Sequence, residues 1–364
     1  MKINKPGLYV HIPFCERICS YCSFTKYLYN ENFADRYLKA LEKELHKYDD
    51  YTFSSIYIGG GTPTSLNLKQ LENLFILLEN YKNKDTFINI ESNPFLDNNK
   101  INILKKYGVN RISIGIQTFN KDYQKIINRV CSYDEICKLI ENLREHGIKD
   151  INVDLIYGFD GQDVLTLKKD LDLFTSLNIN HISTYCLQIE KHTVLFNKNY
   201  SIADDEVASN LYKTIVEYLT FKGFNRYEVS NFSKPGFESQ HNLIYWDNLE
   251  YGGVGVSASS YINGVRKTNT RNFNDYLNDR YEDYEEVLSI SEKEFYFIML
   301  GLRKINGFSL EEFKKLYNID FLIKYKSKID NLIKDSLLIV ENGFVKIPEN
   351  SFFIMDFILR KILF

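Results

Sequence analysis

Hydrophobic and polar residues follow two alternating patterns along the first 220 positions of the chain. Short apolar runs rich in β-branched residues predict strands at residues 7–13, 54–59, 87–91, 111–117, 151–158 and 181–188. Between them, apolar residues recur every three to four positions and predict helices at residues 33–46, 68–78, 132–146, 164–174 and 204–220. This alternation of strands and helices, with nearly continuous apolar strands, predicts a parallel sheet covered by helices.

The predicted fold class is α/β, with six strand–helix units that curve into a partial (β/α)6 TIM-like barrel. In such barrels the chemistry lies at the carboxyl ends of the strands. Glycine or polar residues stand at or near those ends: Cys15 in the first loop, Gly59-Gly60-Gly61, Glu91, Gln117 and Asp154. Each one alone is compatible with a tight turn or a satisfied core polar group, but their shared edge favours one binding site.

The pattern changes after about residue 270. Residues 272–286 are polar and tyrosine-rich and predict a linker, so we expect a main domain at 1–270 and a small C-terminal domain at 271–364. Capping boxes that begin at Ser291 and Ser309 predict two helices. Two short strands and a final apolar helix follow, at residues 336–340, 343–347 and 351–364. This order predicts a winged-helix-like α+β unit.

Composition and charge exclude some classes of function. The 364 residues carry 45 basic and 48 acidic side chains, a net charge of −3 that gives no electrostatic drive toward nucleic acid. We therefore expect the C-terminal unit to be structural or to dock a partner. The chain lacks an apolar run long enough to cross a bilayer and a signal-peptide pattern at its start, which predicts a cytoplasmic protein. The final apolar helix could touch a membrane, although Asp356 favours packing on the C-terminal unit.

Cys15, Cys19 and Cys22 are the most informative residues of the sequence. Thiolates at this spacing can converge on three irons of a [4Fe–4S] cluster and leave the fourth iron open. A structural zinc site usually has two paired knuckles, and the chain shows only one cysteine cluster. The remaining cysteines are scattered, which argues against a disulfide framework and predicts inert buried thiols: Cys131, Cys137 and Cys186.

The CxxxCxxC spacing resembles the radical S-adenosylmethionine (SAM) superfamily. The resemblance implies that the amino and carboxylate groups of SAM chelate the open iron, and that an electron from the cluster cleaves a C–S bond to release a 5′-deoxyadenosyl radical. By position it implies SAM contacts at Tyr9, Gly60, Gly61, Thr62, Glu91, Gln117, Arg129 and Asp154. In chemical terms, Glu91 suits the amino group or ribose, Arg129 the carboxylate, and Asp154 the ribose hydroxyls.

Longer sequence motifs indicate which branch of the radical SAM superfamily the chain resembles. The sequences GLYVHIPFC, IGGGTPT, ESNP, RISIGIQTF and VDLIYGF resemble the oxygen-independent coproporphyrinogen III oxidases and their relatives, the HemW-type heme chaperones. The oxidases carry a further cysteine two places after the third cluster ligand, whereas Phe24 stands there in this chain. The oxidases also have a substantial extension before the cluster motif, and Cys15 follows only fourteen residues. These features favour a chaperone that carries heme to hemoproteins over an oxidase.

An HNxxYW motif at residues 241–246, with its position after residues 230–236, also fits the chaperones. It implies that His241 ligates heme iron while Tyr245 and Trp246 stack on the porphyrin. A structural aromatic cluster around a hydrogen-bonded histidine is the alternative.

The implied cofactors are thus a [4Fe–4S] cluster and SAM, with heme as cargo and hemoprotein acceptors, membrane-associated ones included, as partners. Three positions depart from the family pattern: Cys131, Asp160 and Ser259. An unrelated radical SAM enzyme that acts on a peptide or nucleotide is a third hypothesis. The sequence leaves open whether SAM is cleaved in turnover and whether the chain forms a homodimer.

Overall fold

The structure, a computed structural model, describes residues 6–364. Its strands are β1 (Gly7–Ile12), β2 (Phe14–Cys15), β3 (Tyr27–Leu28), β4 (Ser55–Gly60), β5 (Phe87–Ser92), β6 (Arg111–Gln117), β7 (Asp150–Tyr157), β8 (His181–Cys186), β9 (Asn225–Arg226), β10 (Asn231–Ser233), β11 (Tyr251–Val254), β12 (Ser259–Ile262), β13 (Val265–Asn269), β14 (Glu282–Val287), β15 (Phe308–Ser309), β16 (Ile339–Glu341) and β17 (Phe344–Lys346).

The helices are α1 (Glu31–Leu45), α2 (Leu68–Leu78), α3 (Asn98–Lys106), α4 (Lys121–Ile127), α5 (Tyr133–Glu145), α6 (Val164–Ser176), α7 (Val194–Asn197), α8 (Asp205–Phe221), α9 (Gln240–Trp246), α10 (Phe273–Leu277), α11 (Ile290–Gly301), α12 (Leu310–Tyr317), α13 (Phe321–Lys324), α14 (Lys326–Lys334) and α15 (Met355–Leu363). Short 3₁₀ segments lie at His46–Tyr48, Pro63–Ser65, Glu79–Tyr81 and Glu349–Ile354.

Six parallel strands form the predicted barrel, in the order β1-β4-β5-β6-β7-β8. The sheet continues on both sides: β11 lies parallel to β1, and β10 lies antiparallel to β8. The prediction of an α/β fold with a partial, TIM-like barrel is confirmed.

Each barrel strand has an apolar face toward the helices and a polar face toward the barrel axis. Strand β6 shows this alternation most clearly, because successive side chains of a strand point to opposite faces. One face packs in the hydrophobic core through Ile112, Ile114 and Ile116. The other face lines a central cavity through Arg111, Ser113, Gly115 and Gln117. The barrel interior is therefore a polar site rather than a second apolar core.

Between the six barrel strands, the hydrophobic pattern does not predict two helices, α3 and α4. Helix α3 has only two buried apolar residues, Ile101 and Leu104, so its apolar periodicity is weak. Helix α4 has seven residues, which is too short for a periodic signal. Helix α5 begins as predicted, with a capping box between Ser132 and Glu135.

The predicted linker at residues 272–286 is wrong. These residues form α10 and the edge strand β14, which pairs antiparallel with β13. All but one of the β14 residues are exposed, so the strand shows no apolar alternation, and its Glu282 and Glu285 each lie 2.9 Å from Lys267. Charged edge strands of this kind protect a sheet from further pairing. The sheet thus extends beyond the predicted domain boundary at residue 270.

The C-terminal unit differs from the predicted pattern in two details. The capping box that opens α11 joins Ser289 to Glu292, not Ser291 to Glu294, because Ser289 is the residue with extended backbone before the helix. Strand β15 pairs with β17, so the predicted hairpin is a three-stranded sheet. Helix α15 buries Ile358 and Ile362 in the core. Within residues 6–364, no helix combines the length and the apolar character needed to span a membrane.

Candidate cluster and SAM site

A cavity of about 420 Å³ lies at the carboxyl ends of the barrel strands. It is lined by all three clustered cysteines, Cys15, Cys19 and Cys22. Seven of the eight residues predicted to contact SAM also line it: Gly60, Gly61, Thr62, Glu91, Gln117, Arg129 and Asp154. Tyr9 is not among the lining residues, because its hydroxyl donates to Nδ1 of His11 at 3.0 Å and its ring lies beside Tyr57.

The cysteine loop is held by backbone contacts at both ends. Cys15 ends β2, and its carbonyl accepts from the N–H of Tyr29 at 2.9 Å, while the N–H of Tyr27 donates to Pro13 at 2.7 Å. The N–H of Cys22 donates to the carbonyl of Cys19 at 3.3 Å, which closes a turn. These contacts bring the three thiols to one end of the cavity.

The electrostatics of the thiols fit a positively charged ligand. Burial raises the pKa of Cys15 to about 11 and also raises the pKa of Cys22. A thiolate in such surroundings needs a compensating charge, and Nη1 of Arg129 lies 3.4 Å from Sγ of Cys19. Thiolates are the ligands that iron–sulfur clusters use, so the residues present fit a [4Fe–4S] cluster. When bound, a cluster with three protein ligands supplies an open iron and a reducing electron.

No three His, Cys, Asp or Glu side chains of residues 6–364 are arranged to hold a single metal ion. In a four-iron cluster each thiolate binds a different iron, so the three sulfurs need not meet at one point.

The three glycines after β4 allow close packing between two loops. Gly60 has a φ of +108°, and a Cβ there would lie 2.4 Å from the ring of His11. A Cβ at Gly61 would lie 2.7 Å from the carbonyl oxygen of Phe14, inside the cysteine loop. The N–H of Gly61 donates to Ile12 at 2.9 Å, and that of Thr62 donates to Phe14 at 2.7 Å. The glycine turn and the cysteine loop are therefore one connected structure.

Glu91 is held by two donors at the end of β5. Its Oε2 accepts from the N–H of Gly60 at 3.0 Å, and its Oε1 accepts from the hydroxyl of Tyr57 at 2.8 Å. Burial raises the pKa of the carboxyl to about 7, with a further contribution from the negative charge of Asp154. Glu91 is therefore poised to ionise when a cation binds in the cavity.

Gln117 lies at a bulge where β6 leaves the sheet. Its φ of +75° is unusual for a residue with a side chain, and the register with β7 shifts between Gly115 and Gln117. Nε of Arg129 donates to the carbonyl of Gly115 at 2.7 Å, which holds the guanidinium over this bulge. Such strained backbone is common at binding sites.

Many other polar residues of the cavity are not predicted from the sequence, among them Asn152, His181, Ser183 and Arg111. Asn152 donates to Asp154 at 2.9 Å and accepts from Ser183 at 3.1 Å. Arg111 pairs with Asp150 at 2.9 Å. Their spacing in the sequence could have predicted them. Polar side chains two residues apart in an otherwise apolar strand lie on the same face of the sheet, which here is the face toward the barrel axis.

The HNxxYW motif lies on α9, and one of its residues, Asn242, is among those that line the cavity. Nδ1 of His241 is hydrogen-bonded to Ser55 at 3.1 Å and Nε2 to the hydroxyl of Tyr245 at 2.7 Å. The side chain of His241 is buried, and burial lowers its pKa to about 3. The indole of Trp246 lies 5.6 Å from the guanidinium carbon of Arg303. Both ring nitrogens of His241 are thus hydrogen-bonded within the protein, as the structural alternative for the motif expects.

Two of the positions that depart from the family pattern have ordinary contacts. Cys131 is buried, and its Sγ lies 3.6 Å from Nε2 of Gln124. Ser259 is hydrogen-bonded to Thr268 at 3.1 Å on the β12–β13 pair. The third, Asp160, is exposed in the turn after β7.

The barrel and its cysteine-lined cavity define a radical SAM protein, and the model of the Radical SAM superfamily matches residues 9–174. The heme chaperone HemW of Lactococcus lactis is 35% identical over 372 residues, which cover 99% of this chain and 98% of that protein. HemW of Bacillus subtilis is also 35% identical and covers 95% of this chain and 94% of its own. The chain belongs to the HemW family.

A solved structure, that of coproporphyrinogen III oxidase (HemN) from Escherichia coli, has a TM-score of 0.88. The superposition covers 98% of this chain and 90% of the oxidase chain, at 23% sequence identity. At that identity the similarity shows only that the two proteins share a fold.

Proposed function

We propose that this chain is a heme chaperone that uses a [4Fe–4S] cluster and SAM, and that it delivers heme to hemoproteins in the cytoplasm or at a membrane surface. The observation that carries the proposal is the 35% identity to HemW of Lactococcus lactis, over 99% of this chain. Coproporphyrinogen oxidation is the alternative, but the oxidase is similar in fold at only 23% identity.

The cavity residues suit the separate parts of SAM. The N–H groups of Gly60, Gly61 and Thr62 all donate within the protein, so this turn would offer carbonyl oxygens to the N–H groups of the SAM amino group. Glu91 would add a negative charge there, and Arg129 would pair with the carboxylate. Asp154 would accept from the ribose hydroxyls, and Gln117 would donate and accept at the mouth of the cavity. Tyr9 would act indirectly, by packing against Tyr57.

We propose His241, Tyr245 and Trp246 as the heme contacts. Both ring nitrogens of His241 are engaged, so His241 can ligate iron only if one of them gives up its hydrogen bond, Nδ1 to Ser55 or Nε2 to Tyr245. Heme binding at this motif therefore requires either a displacement of His241 from Ser55 or a rotation of the Tyr245 side chain. If both hydrogen bonds persist, heme binds elsewhere and the motif is structural.

Anaerobic titration of heme into the reconstituted protein tests the proposal. We expect a shifted Soret band in the wild type, a weaker or altered band in His241→Ala, and an unchanged band in His46→Ala, an exposed histidine. No Soret shift in the wild type would refute the chaperone function. Conversion of coproporphyrinogen III to protoporphyrinogen, with SAM and a reductant, would instead establish the oxidase. A normal band in His241→Ala would remove only the heme contact.

A further inference from the structure

A chain of hydrogen bonds runs along the cavity from Asp154 to Ser239, the residue that precedes α9. Oδ1 of Asp154 accepts from Nδ2 of Asn152 at 2.9 Å. Oδ1 of Asn152 lies 2.6 Å from Nδ1 of His181, and Nε2 of His181 lies 2.8 Å from the hydroxyl of Tyr227. That hydroxyl accepts from the backbone N–H of Ser239 at 3.1 Å. All four contacts are within ordinary hydrogen-bond length.

The direction of each bond follows from the groups at the two ends. An ionised Asp154 can only accept, so Asn152 must turn its NH₂ group toward it and its oxygen toward His181. Nδ1 of His181 must then carry the proton. Burial holds the pKa of His181 well below its usual value, so the ring is neutral and Nε2 has no proton. Nε2 therefore accepts from the hydroxyl hydrogen of Tyr227, and a lone pair of the same hydroxyl oxygen accepts from the N–H of Ser239.

The network fixes the tautomer of one histidine and, through it, the orientation of one amide. Asn152 has no spare capacity, because its NH₂ also donates to Ser113 at 2.6 Å and its oxygen also accepts from Ser183 at 3.1 Å. If the amide flipped, its oxygen would face the carboxylate of Asp154, and the two acceptors would repel each other. His181 prevents this flip, because its Nδ1–H donates to the oxygen of the Asn152 amide.

We propose that His181 is a positioning residue for SAM: by locking the amide of Asn152, it holds the carboxylate of Asp154 in the orientation that binds the ribose hydroxyls. This inference rests on the proposed SAM site. It assigns to His181 no contact with SAM and no proton transfer. Tyr227 is a second positioning residue in the same hydrogen-bond network, because its hydroxyl donates to Nε2 of His181 and so leaves the proton of the ring on Nδ1.

The test compares SAM and methionine as ligands of the cluster-loaded protein, by equilibrium binding under anaerobic conditions. Methionine carries the amino and carboxylate groups but no ribose. We expect His181→Phe to weaken SAM roughly tenfold, the effect of a weakened hydrogen bond to a charged group, and to leave methionine affinity unchanged. We expect Tyr227→Phe to act in the same direction with a smaller effect. Its backbone remains anchored, since its carbonyl accepts from the N–H of Ile305 at 3.1 Å.

Thr184→Val is the matched control. Thr184 is buried on the same strand, and its hydroxyl donates to Ser230 at 3.2 Å, but it is not part of the network. It should lose a buried hydrogen bond without losing SAM affinity. In the background of Asp154→Asn, His181→Phe should cause no further loss, because both changes act on one carboxylate.

The outcomes separate this inference from the proposed SAM site. A wild type that fails to bind SAM would refute the site itself. If the wild type binds SAM and His181→Phe and Tyr227→Phe bind it equally well, only the positioning role is refuted. Equal losses for SAM and methionine, or a loss of cluster absorbance in both variants, would also overturn it, because the effect would then be a general one on the barrel.

Discussion

The affinity for SAM should fall about tenfold between pH 8 and pH 6, because the amino group of SAM would donate its N–H groups to an ionised Glu91, and the sulfonium charge of SAM favours that ionised form. Burial raises the pKa of Glu91 to about 7, above its usual value, so in the free protein the carboxyl is mostly protonated at pH 6 and mostly ionised at pH 8. If only the ionised form binds, the dissociation constant exceeds that of the fully ionised protein by a factor of about 11 at pH 6 and about 1.1 at pH 8. The ratio of these factors gives the tenfold change.

Isothermal titration of SAM into the cluster-loaded protein at several pH values measures this effect. Glu91→Gln should bind SAM weakly at every pH, since it has no charge to gain. Glu42→Gln, which changes an exposed residue of α1, should keep the wild-type profile. His11 does not interfere, because burial lowers its pKa to about 4, below the range tested. A wild-type affinity that is constant from pH 6 to pH 8, or a Glu91→Gln variant with the same slope, would refute the assignment.

Three further predictions concern the cluster, the glycine turn and Glu228, a buried residue whose backbone forms a bridge with that of Lys304 in the C-terminal unit. Cys19→Ser should lose iron, sulfide and the brown absorbance, whereas Cys137→Ser should keep them; an intact cluster in Cys19→Ser would exclude this residue as a ligand. Gly60→Ala should lower the melting temperature far more than Gly108→Ala. Both glycines have a positive φ, but only the Cβ added at residue 60 would meet a neighbouring ring, that of His11, at 2.4 Å. Equal decreases in melting temperature would contradict this explanation. Burial raises the pKa of Glu228 to about 7, so the folded state retains a proton that the unfolded state releases. Its contribution to stability is full below about pH 4.5 and is lost as the pH rises through about 7, a change of about 3 kcal/mol. Urea unfolding of Glu228→Gln should lack that loss, and a wild-type pH profile in this variant would disprove the prediction.

The order of the barrel and the grouping of its site residues could be predicted because both depend on local pattern. Cys15 follows β1, Glu91 lies near the end of β5 and Asp154 lies within β7, and the carboxyl ends of parallel strands meet at one edge. The same information explains why the spacing of Cys15, Cys19 and Cys22 is informative without any knowledge of tertiary contacts.

The rest depends on contacts between distant residues, which the pattern does not encode. Strand β14 is charged and exposed, so it resembles a linker until its pairing with β13 is known. Tyr9 has the right position in sequence, but its ring packs 6.1 Å from that of Tyr57, and only Tyr57 lines the cavity. His181 and Tyr227 are 46 residues apart, and only the fold brings the imidazole and the hydroxyl together.

The backbone ties between the cysteine loop and the glycine turn have a consequence for exposure to air. Because Gly61 and Thr62 donate their N–H groups to Ile12 and Phe14, damage that loosens the iron-binding segment also loosens the carbonyls that would face the sulfonium ligand. An oxidised molecule would then release both ligands together. Such coupling would prevent a half-assembled protein from retaining a bound nucleoside with no metal beside it.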